Sequence, residues 1–266
     1  MFTSVLNNRL TKFLDASGGL NENQAGFRKG YSTTDHIFSL NALFELCRSR
    51  NQKFYCAFID FSRAFDSVWR IGLWKKLLEN DINGKFFQIV HNMYNGIKSS
   101  VSVNGQDSPF FTCNCGVRQG ENLSPVLFAI YLNDLETCLL HKNLSGITID
   151  VSDGDVDLYL KLFTLLYADD TVLMANDPLD LQNCLDAFAE YCQKWKLTIN
   201  IEKTKIVIFG TRRKSRLNFK IGEDTIEITN SYKYLGVLFS QSGSFLGARK
   251  HVVQQAKKQC SSYLQG

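Results

Sequence analysis

The chain has 266 residues, enough for a large core divided over one to three subdomains. It is 44% hydrophobic and 21% charged, an ordinary globular balance, and carries a formal net charge of only +4, so any nucleic-acid role must rest on where charge lies. No apolar run is long enough to span a membrane, the start lacks a signal peptide's charged-then-apolar layout, and neither a repeat nor a low-complexity linker divides the chain.

Residues 1 to 20 predict a helix, with Val5, Leu6, Leu10, Phe13 and Leu14 at helical spacing and Gly18-Gly19 as its stop. A half-used amphipathic helix at the start suggests a piece of something longer. In Gln24-Ala25-Gly26-Phe27-Arg28-Lys29-Gly30, glycines flank a basic pair, which suits either a phosphate near a helix start or a plain basic loop. Ser32 or Thr33 caps a helix to about Cys47, with Ile37, Leu40, Phe44 and Cys47 on its apolar side.

Phe54 to Ile59 is apolar throughout and predicts a strand buried on both faces, ending in Asp60. An acid there needs a partner that local reading does not supply. The eight Cys (47, 56, 113, 115, 138, 184, 192 and 260) form no Cys-x-x-Cys pair and mostly sit in apolar runs such as this one. They read as reduced core thiols of an intracellular protein, not as a disulfide frame or zinc site. Asp66 is expected as a cap or turn residue before a helix carrying Val68, Trp69, Leu73, Trp74, Leu77 and Leu78.

A further helix follows through Phe86, Phe87, Ile89, Val90, Met93 and Tyr94, and then a hairpin at Ser100 to Gly105. Gly116 and Gly120 bracket Arg118-Gln119, where a ligand can approach the backbone closely. Ser124 as cap with Pro125 at the first helical position starts a helix through Val126, Leu127, Ile130 and Leu132. Residues 141 to 160, with Asp150, Asp153, Asp155 and Asp157, read as an acidic, irregular, solvated excursion; no Glu closes a calcium loop.

Two short apolar runs, Leu162 to Leu166 and Thr171 to Ala175, predict strands around Tyr167-Ala168-Asp169-Asp170. The Asp pair then sits at a hairpin turn. Neighbouring carboxylates repel unless a cation lies between them, although Asp is also a common turn residue. Asp177-Pro178 starts a helix with Leu181, Leu185, Phe188, Cys192 and Trp195 as its buried stripe. From Lys194 to Lys220 nine basic residues face one acid, Glu202, which suits phosphate-backbone contact or a solvated basic loop. Ser231 to Phe239 predicts a pair of strands, and a basic helix begins near Gly247.

Taken in order, Gln24-Ala25-Gly26-Phe27-Arg28, Phe58-Ile59-Asp60-Phe61-Ser62-Arg63-Ala64-Phe65-Asp66, Gly116-Val117-Arg118-Gln119-Gly120, Leu123-Ser124-Pro125, Tyr167-Ala168-Asp169-Asp170, Asn200 with Lys203-Thr204, and Tyr234-Leu235-Gly236 resemble the reverse transcriptases of non-LTR (LINE-type) retrotransposons. The resemblance covers about residues 5 to 245. It implies an α+β right-hand polymerase whose palm is a ferredoxin-like antiparallel sheet packed on helices. Residues 1–55 would be partial fingers, 56–80 palm with the first metal acid, 81–120 a fingers/palm connection, 121–240 palm with the metal hairpin and primer grip, and 241–266 the start of a thumb.

It also implies RNA-directed DNA polymerase activity with two Mg²⁺ ions, Mn²⁺ being a possible substitute, on an RNA template, a DNA primer and a dNTP. Asp60 and Asp169 would bind the metals, with the Phe61 carbonyl completing the second site and Asp170 as weaker ligand or support. Arg28 would grip the triphosphate, Gln119 and Gly120 would line the nascent base pair, and Phe65 would bar a 2′-hydroxyl. Lys203 would protonate pyrophosphate, and Tyr234, Leu235 and Gly236 would support the primer. No role is implied for Glu121. No endonuclease, RNase H region or Cys/His knuckle is seen, and the finger segment with its Arg-Pro-Ile motif is missing. A truncated copy is therefore expected, in a nuclear or cytoplasmic ribonucleoprotein with no membrane, the missing parts belonging to a parent polyprotein. The alternatives are a silent nucleic-acid-binding remnant, an RNA-copying viral polymerase and a two-metal hydrolase.

Overall fold

The computed structural model describes residues 2–21, 24–26, 28, 30–142, 144, 146–153, 156–162, 164–167, 169–210 and 217–242; of 148–153, 156–162 and 167 it describes the backbone alone. The basic helix expected near Gly247, most of the thumb start, Ala168 and four of the basic residues between Lys194 and Lys220 lie outside these.

Helix α1 (Phe2–Ser17) buries Leu6, Leu10 and Leu14 at a spacing of one turn each, and ends where Gly18 takes φ +63°. Helix α2 (Thr33–Ser49) starts with a reciprocal cap: Ser32 Oγ accepts the Thr34 N–H, and Asp35 Oδ2 accepts the Ser32 N–H at 2.6 Å. Strand β1 (Phe54–Ile59) is buried at all six positions, as its unbroken apolar run predicts.

The expected helix after Asp66 is two. A single turn, α3 (Ala64–Ser67), stops because Val68 turns extended at ψ 120°, and α4 (Arg70–Glu79) starts behind it. Asp66 caps neither; it lies within α3, and the residue before α4 is Trp69, which offers no side-chain cap. Helix α5 (Gly84–Met93) follows, and then short ladders: β2 (Lys98–Ser99), β3 (Ser102–Val103), β4 (Gln106–Asp107) and β5 (Phe111–Thr112). The β3–β4 hairpin turns at Asn104-Gly105, both at positive φ as that dipeptide favours.

Helix α6 (Ser124–Leu132) is nearly all buried. Ser124 is its first residue, not its cap, because its hydroxyl bonds the Arg118 carbonyl instead of a helical N–H; Leu123 precedes the helix. Helix α7 (Leu135–His141) follows. The acidic stretch is not irregular but an antiparallel hairpin, β6 (Ile147–Asp153) with β7 (Val156–Leu162). Ile147, Ile149, Val151, Leu158, Leu160 and Leu162 fall at every second position between the acids, a period-two signal that the charge hid.

Next come β8 (Thr164–Tyr167), β9 (Asp170–Ala175), α8 (Pro178–Trp195), β10 (Lys205–Phe209), β11 (Phe219–Ile221), β12 (Asp224–Thr229), β13 (Ser231–Tyr234) and β14 (Val237–Ser240). Asp177 Oδ1 accepts the Asp180 N–H at the start of α8, and Leu181, Leu185, Phe188, Cys192 and Trp195 are buried along it as expected. Leu162 ends β7 and does not open β8.

Two compact units result: Met1–Glu22 with Ser62–Asp134 and Cys192–Thr198, and Asn23–Phe61 with Leu135–Tyr191 and Ile199–Gly266. The first is mainly helical. The second holds a six-stranded sheet in the order β11-β12-β10-β1-β9-β8. Within it, β10-β1-β9-β8 are antiparallel and ordered four-one-three-two by sequence, the split βαβ arrangement. The sheet as a whole is mixed, since β12 joins β10 in parallel, so the expectation of an antiparallel sheet holds for the four strands from β10 to β8. One face carries Phe54, Cys56, Phe58, Val172, Met174, Val207 and Phe209, packed with Leu40, Leu43, Phe44 and Cys47 of α2. Phe54 stacks on Phe209 at 4.6 Å between ring centroids.

Candidate active site

Asp60 follows the last residue of β1. The ladder between β1 and β9 runs Phe58↔Val172 and Ile59↔Thr171, so the next step sets Asp60 beside Asp170. Strand alternation puts Asp60 on the face of Phe58, and Asp170 on the face of Val172. Both acids therefore continue one core face out to the sheet's end, where water reaches them. Tyr167 pairs with Asp170 across β8 and β9, so Asp169 lies in the two-residue turn. The partner that Asp60 lacks in sequence is thus Asp170, brought to it by the middle strand pair.

Burial pushes the Asp170 carboxyl up to about 6, and the charges of Asp169 and then Asp60 push it the same way. Both neighbouring acids therefore bear on Asp170. Asp60 Oδ2 is buried and accepts no hydrogen bond; its charged neighbour is Lys203 Nζ at 3.6 Å.

The Asn200 to Thr204 turn clamps Asp60 through its backbone. Asn200 N–H donates to the Asp60 carbonyl at 2.8 Å, and Asp60 N–H donates to Thr204 Oγ1 at 3.2 Å. The turn holds itself closed: Thr204 N–H donates to the Asn200 carbonyl at 2.9 Å, and Lys203 N–H to Asn200 Oδ1 at 3.2 Å. This geometry explains why a polar Asn, a Lys and a Thr stand at that spacing. Phe61 makes a bridge to Ile199 and turns its ring to Phe188, 5.9 Å away.

The hairpin of β13 and β14 packs on the same core face. Tyr232 stacks on Phe58 at 4.5 Å, and Tyr234 lies 5.5 Å from Phe58. Burial pushes the Tyr232 hydroxyl up to about 12, and Asp170 and Asp60 add to the shift; Tyr234 is raised by burial and then Asp170. Both phenols thus stay protonated near the acids. Leu235 and Gly236 form the two-residue turn, at φ +46° and +85°. Leu235 holds a backbone that β-hairpins normally give to Asn or Gly, and it packs against the core. His36 Nδ1 lies 3.3 Å from the Tyr234 hydroxyl, both residues being buried.

Gln24 runs parallel to β8 at Leu166, and Ala25 N–H donates to the Leu166 carbonyl at 2.9 Å. Gln24 and Ala25 are thereby fixed to the strand that leads into the acidic turn. Arg28 donates to the Gln24 carbonyl at 3.2 Å and lies over the Tyr31 ring at 4.2 Å. Phe27 and Lys29 lie outside the described residues.

The remaining expected residues belong to the helical unit. Phe65 stacks on Phe128 at 5.0 Å. Gln119 Nε2 donates to both Asp66 oxygens, at 3.0 and 3.1 Å. Gly120 takes φ +80° with open space where a Cβ would be. Glu121 pairs with Arg118 at 2.8 Å.

The acids suit a hard divalent cation on two observations: a buried carboxylate oxygen without a hydrogen bond, and mutual repulsion that a cation would relieve. Among the described residues no three His, Cys, Asp or Glu side chains make a ready-made metal cage. A Mg²⁺ held by one or two carboxylates plus substrate phosphates does not require one. Thr204 belongs to the Lys203-Thr204 motif noted in the sequence, without a role of its own there, whereas nothing local marks Tyr232 or His36.

A family model described as reverse transcriptase (RNA-dependent DNA polymerase) matches residues 1–239. The chain is 27% identical over 260 residues to a probable RNA-directed DNA polymerase from transposon X-element of Drosophila melanogaster, covering 95% of this chain and 26% of that protein. It is 28% identical over 255 residues to the RNA-directed DNA polymerase from mobile element jockey of Drosophila funebris, again 95% and 26%. The chain thus spans about a quarter of the length of these curated relatives. Among solved structures, apo telomerase from Candida tropicalis, truncated from its C-terminal domain, superposes with a TM-score of 0.58 at 16% identity, over 89% of this chain and 43% of that one. That likeness is one of fold. No helix among the described residues is long and apolar enough to cross a membrane.

Proposed function

The chain belongs to the reverse transcriptase (RNA-dependent DNA polymerase) family, and from that premise we propose that it extends a DNA primer on an RNA template by nucleotidyl transfer from dNTP. The observation that carries this reading is Asp60 set beside Asp170 across β1 and β9, with Asp169 in the adjoining turn. The family implies dependence on a divalent metal. Asp60 and Asp169 would hold two Mg²⁺, or Mn²⁺ in their place, with the Phe61 carbonyl at the second ion and Asp170 as support. Bound there, the ions would make the primer 3′-hydroxyl more acidic and offset charge on the leaving pyrophosphate.

The chain's own residues do the rest. Arg28, by exchanging its Gln24 carbonyl for phosphate oxygens, binds the triphosphate. Lys203 stands 3.6 Å from Asp60 as the proton donor for pyrophosphate. Phe65 excludes a 2′-hydroxyl by size, and Gln119 with Gly120 lines the new base pair. The Tyr234-Leu235-Gly236 turn supports the primer. In hand terms, residues 1–55 are partial fingers, 56–80 and 121–240 palm, 81–120 the connection between them, and 241–266, mostly outside the described residues, start the thumb. The RNA template, the DNA primer and the other regions of a longer polyprotein are the partners.

The test is extension of a DNA primer on an RNA template with dNTPs and Mg²⁺. Extension that vanishes in Asp169→Asn supports the proposal. Template binding without extension by the wild-type chain would leave only a nucleic-acid-binding role.

A further inference from the structure

Arg70, the first residue of α4, is buried, and its guanidinium makes four hydrogen bonds to main-chain carbonyls. Nε donates to Gly116 at 2.9 Å, Nη1 to Cys113 at 2.6 Å and Tyr94 at 3.2 Å, and Nη2 to Cys115 at 2.9 Å. A guanidinium taken out of water is costly unless its donors are used, so this arrangement fixes the loop in one place. The same loop is sewn to α3 by Gly116 N–H to the Val68 carbonyl and Val117 N–H to the Phe65 carbonyl, both at 2.8 Å. Gly116 sits so close that a Cβ would lie 2.7 Å from the Asp66 carbonyl oxygen.

Beyond that seam the loop is exposed, and there Asp66 holds Gln119. A carboxylate only accepts, so the amide must turn its Nε2 toward Asp66 and its Oε1 away. Two residues four positions apart in sequence thus hold the root and the tip of one loop.

We propose that Arg70 and Asp66 are positioning residues that present Gln119 and Gly120 to the incoming nucleotide, Arg70 by fixing the Cys113–Gly116 root and Asp66 by orienting the Gln119 amide. The role in nucleotide binding rests on the polymerase reading; the holding of the loop does not.

Two measurements keep these apart. Arg118 lies in the loop and is a trypsin site, so cleavage after it reports loop opening without any catalysis. Arg70→Gln should raise that cleavage rate about tenfold or more, and Arg70→Lys should restore little, because an ammonium cannot reach four carbonyls from one position. Unchanged cleavage in a folded Arg70→Gln would overturn the holding role, whether or not the protein is a polymerase. Should Arg70→Gln fail to fold, Asp66→Ala at its exposed site carries the test. In primer extension, Asp66→Ala and Gln119→Ala should each raise the dNTP KM about fivefold with kcat within twofold, and the double variant should be no worse than either. Multiplying effects, or a KM left unchanged in an extending enzyme, would overturn the nucleotide role. A wild-type chain that does not extend would instead sink the polymerase reading, with the proteolysis result still deciding the loop.

Discussion

The main-chain carbonyl of Asp60 accepts the Asn200 N–H at 2.8 Å, so the acid that follows β1 is held by the turn that leads into the neighbouring strand β10. Thr204 completes the clamp from the other side, its hydroxyl taking the Asp60 N–H. The carboxylate itself is left out of these bonds. Its backbone is held at both the N–H and the carbonyl, and its Oδ2 faces Lys203 without a hydrogen bond.

Thr204→Val keeps the shape of a fully buried side chain and removes the acceptor for Asp60 N–H. The cost is about 1–3 kcal/mol for a buried donor left unsatisfied. Denaturant unfolding should show that loss. Primer extension should fall at least tenfold in kcat, because Asp60 is no longer held in place; an unchanged kcat would detach the clamp from catalysis.

Asp170, raised to about 6, makes the metal-free fold bind a proton more tightly than the unfolded chain does. Its contribution to stability is therefore fullest below the ordinary carboxylate range, near 4, and is lost as pH rises through about 6. Asp170→Asn removes this loss. Without metal, the variant should melt about 2–4 °C higher than wild type at pH 7.5 and near it at pH 4. A lower melting temperature at pH 7.5 would mean that the three acids do not repel one another.

Phe65→Val should let ribonucleotides in. The expected outcome is a rise of about tenfold or more in the rNTP to dNTP ratio of kcat/KM, set against modest destabilisation from the lost stacking on Phe128. An unchanged ratio would remove Phe65 from its role as gate.

Two glycines at nearly the same φ separate crowding from strain. Gly120→Ala meets open space and should cost about 1 kcal/mol from backbone strain alone. Gly116→Ala would drive a Cβ to 2.7 Å from the Asp66 carbonyl and must displace the seam. Calorimetry should show a clearly larger loss for Gly116→Ala; equal losses would contradict the close approach.

Much of this was legible in the chain. The apolar run from Phe54 to Ile59, the Asp177-Pro178 start and the stripe from Leu181 to Trp195 each carry a local signal that nothing in the fold opposes. The acidic hairpin β6–β7 was misread because Asp residues between alternating aliphatics look like a solvated loop when composition is weighed before period. Ser124 was misplaced by one residue because a cap is recognised by its residue type, while its hydroxyl had a carbonyl to bond elsewhere. Asp66 is expected from sequence only as a cap or turn residue, and nothing local marks Arg70, because their partners, Gln119 and the carbonyls of Cys113, Cys115 and Gly116, lie more than forty residues away.

Asp60 and the Asp169-Asp170 turn are proposed to share one cation site. Iron(II) in place of Mg²⁺, with dNTP and ascorbate and peroxide, generates hydroxyl radicals that cut the backbone beside the bound ion. Two cuts are expected, one near residue 60 and one near 169–170, both lost in Asp169→Asn and both competed away by Mg²⁺. A cut at one segment without the other, or cutting indifferent to Asp169→Asn, would contradict it.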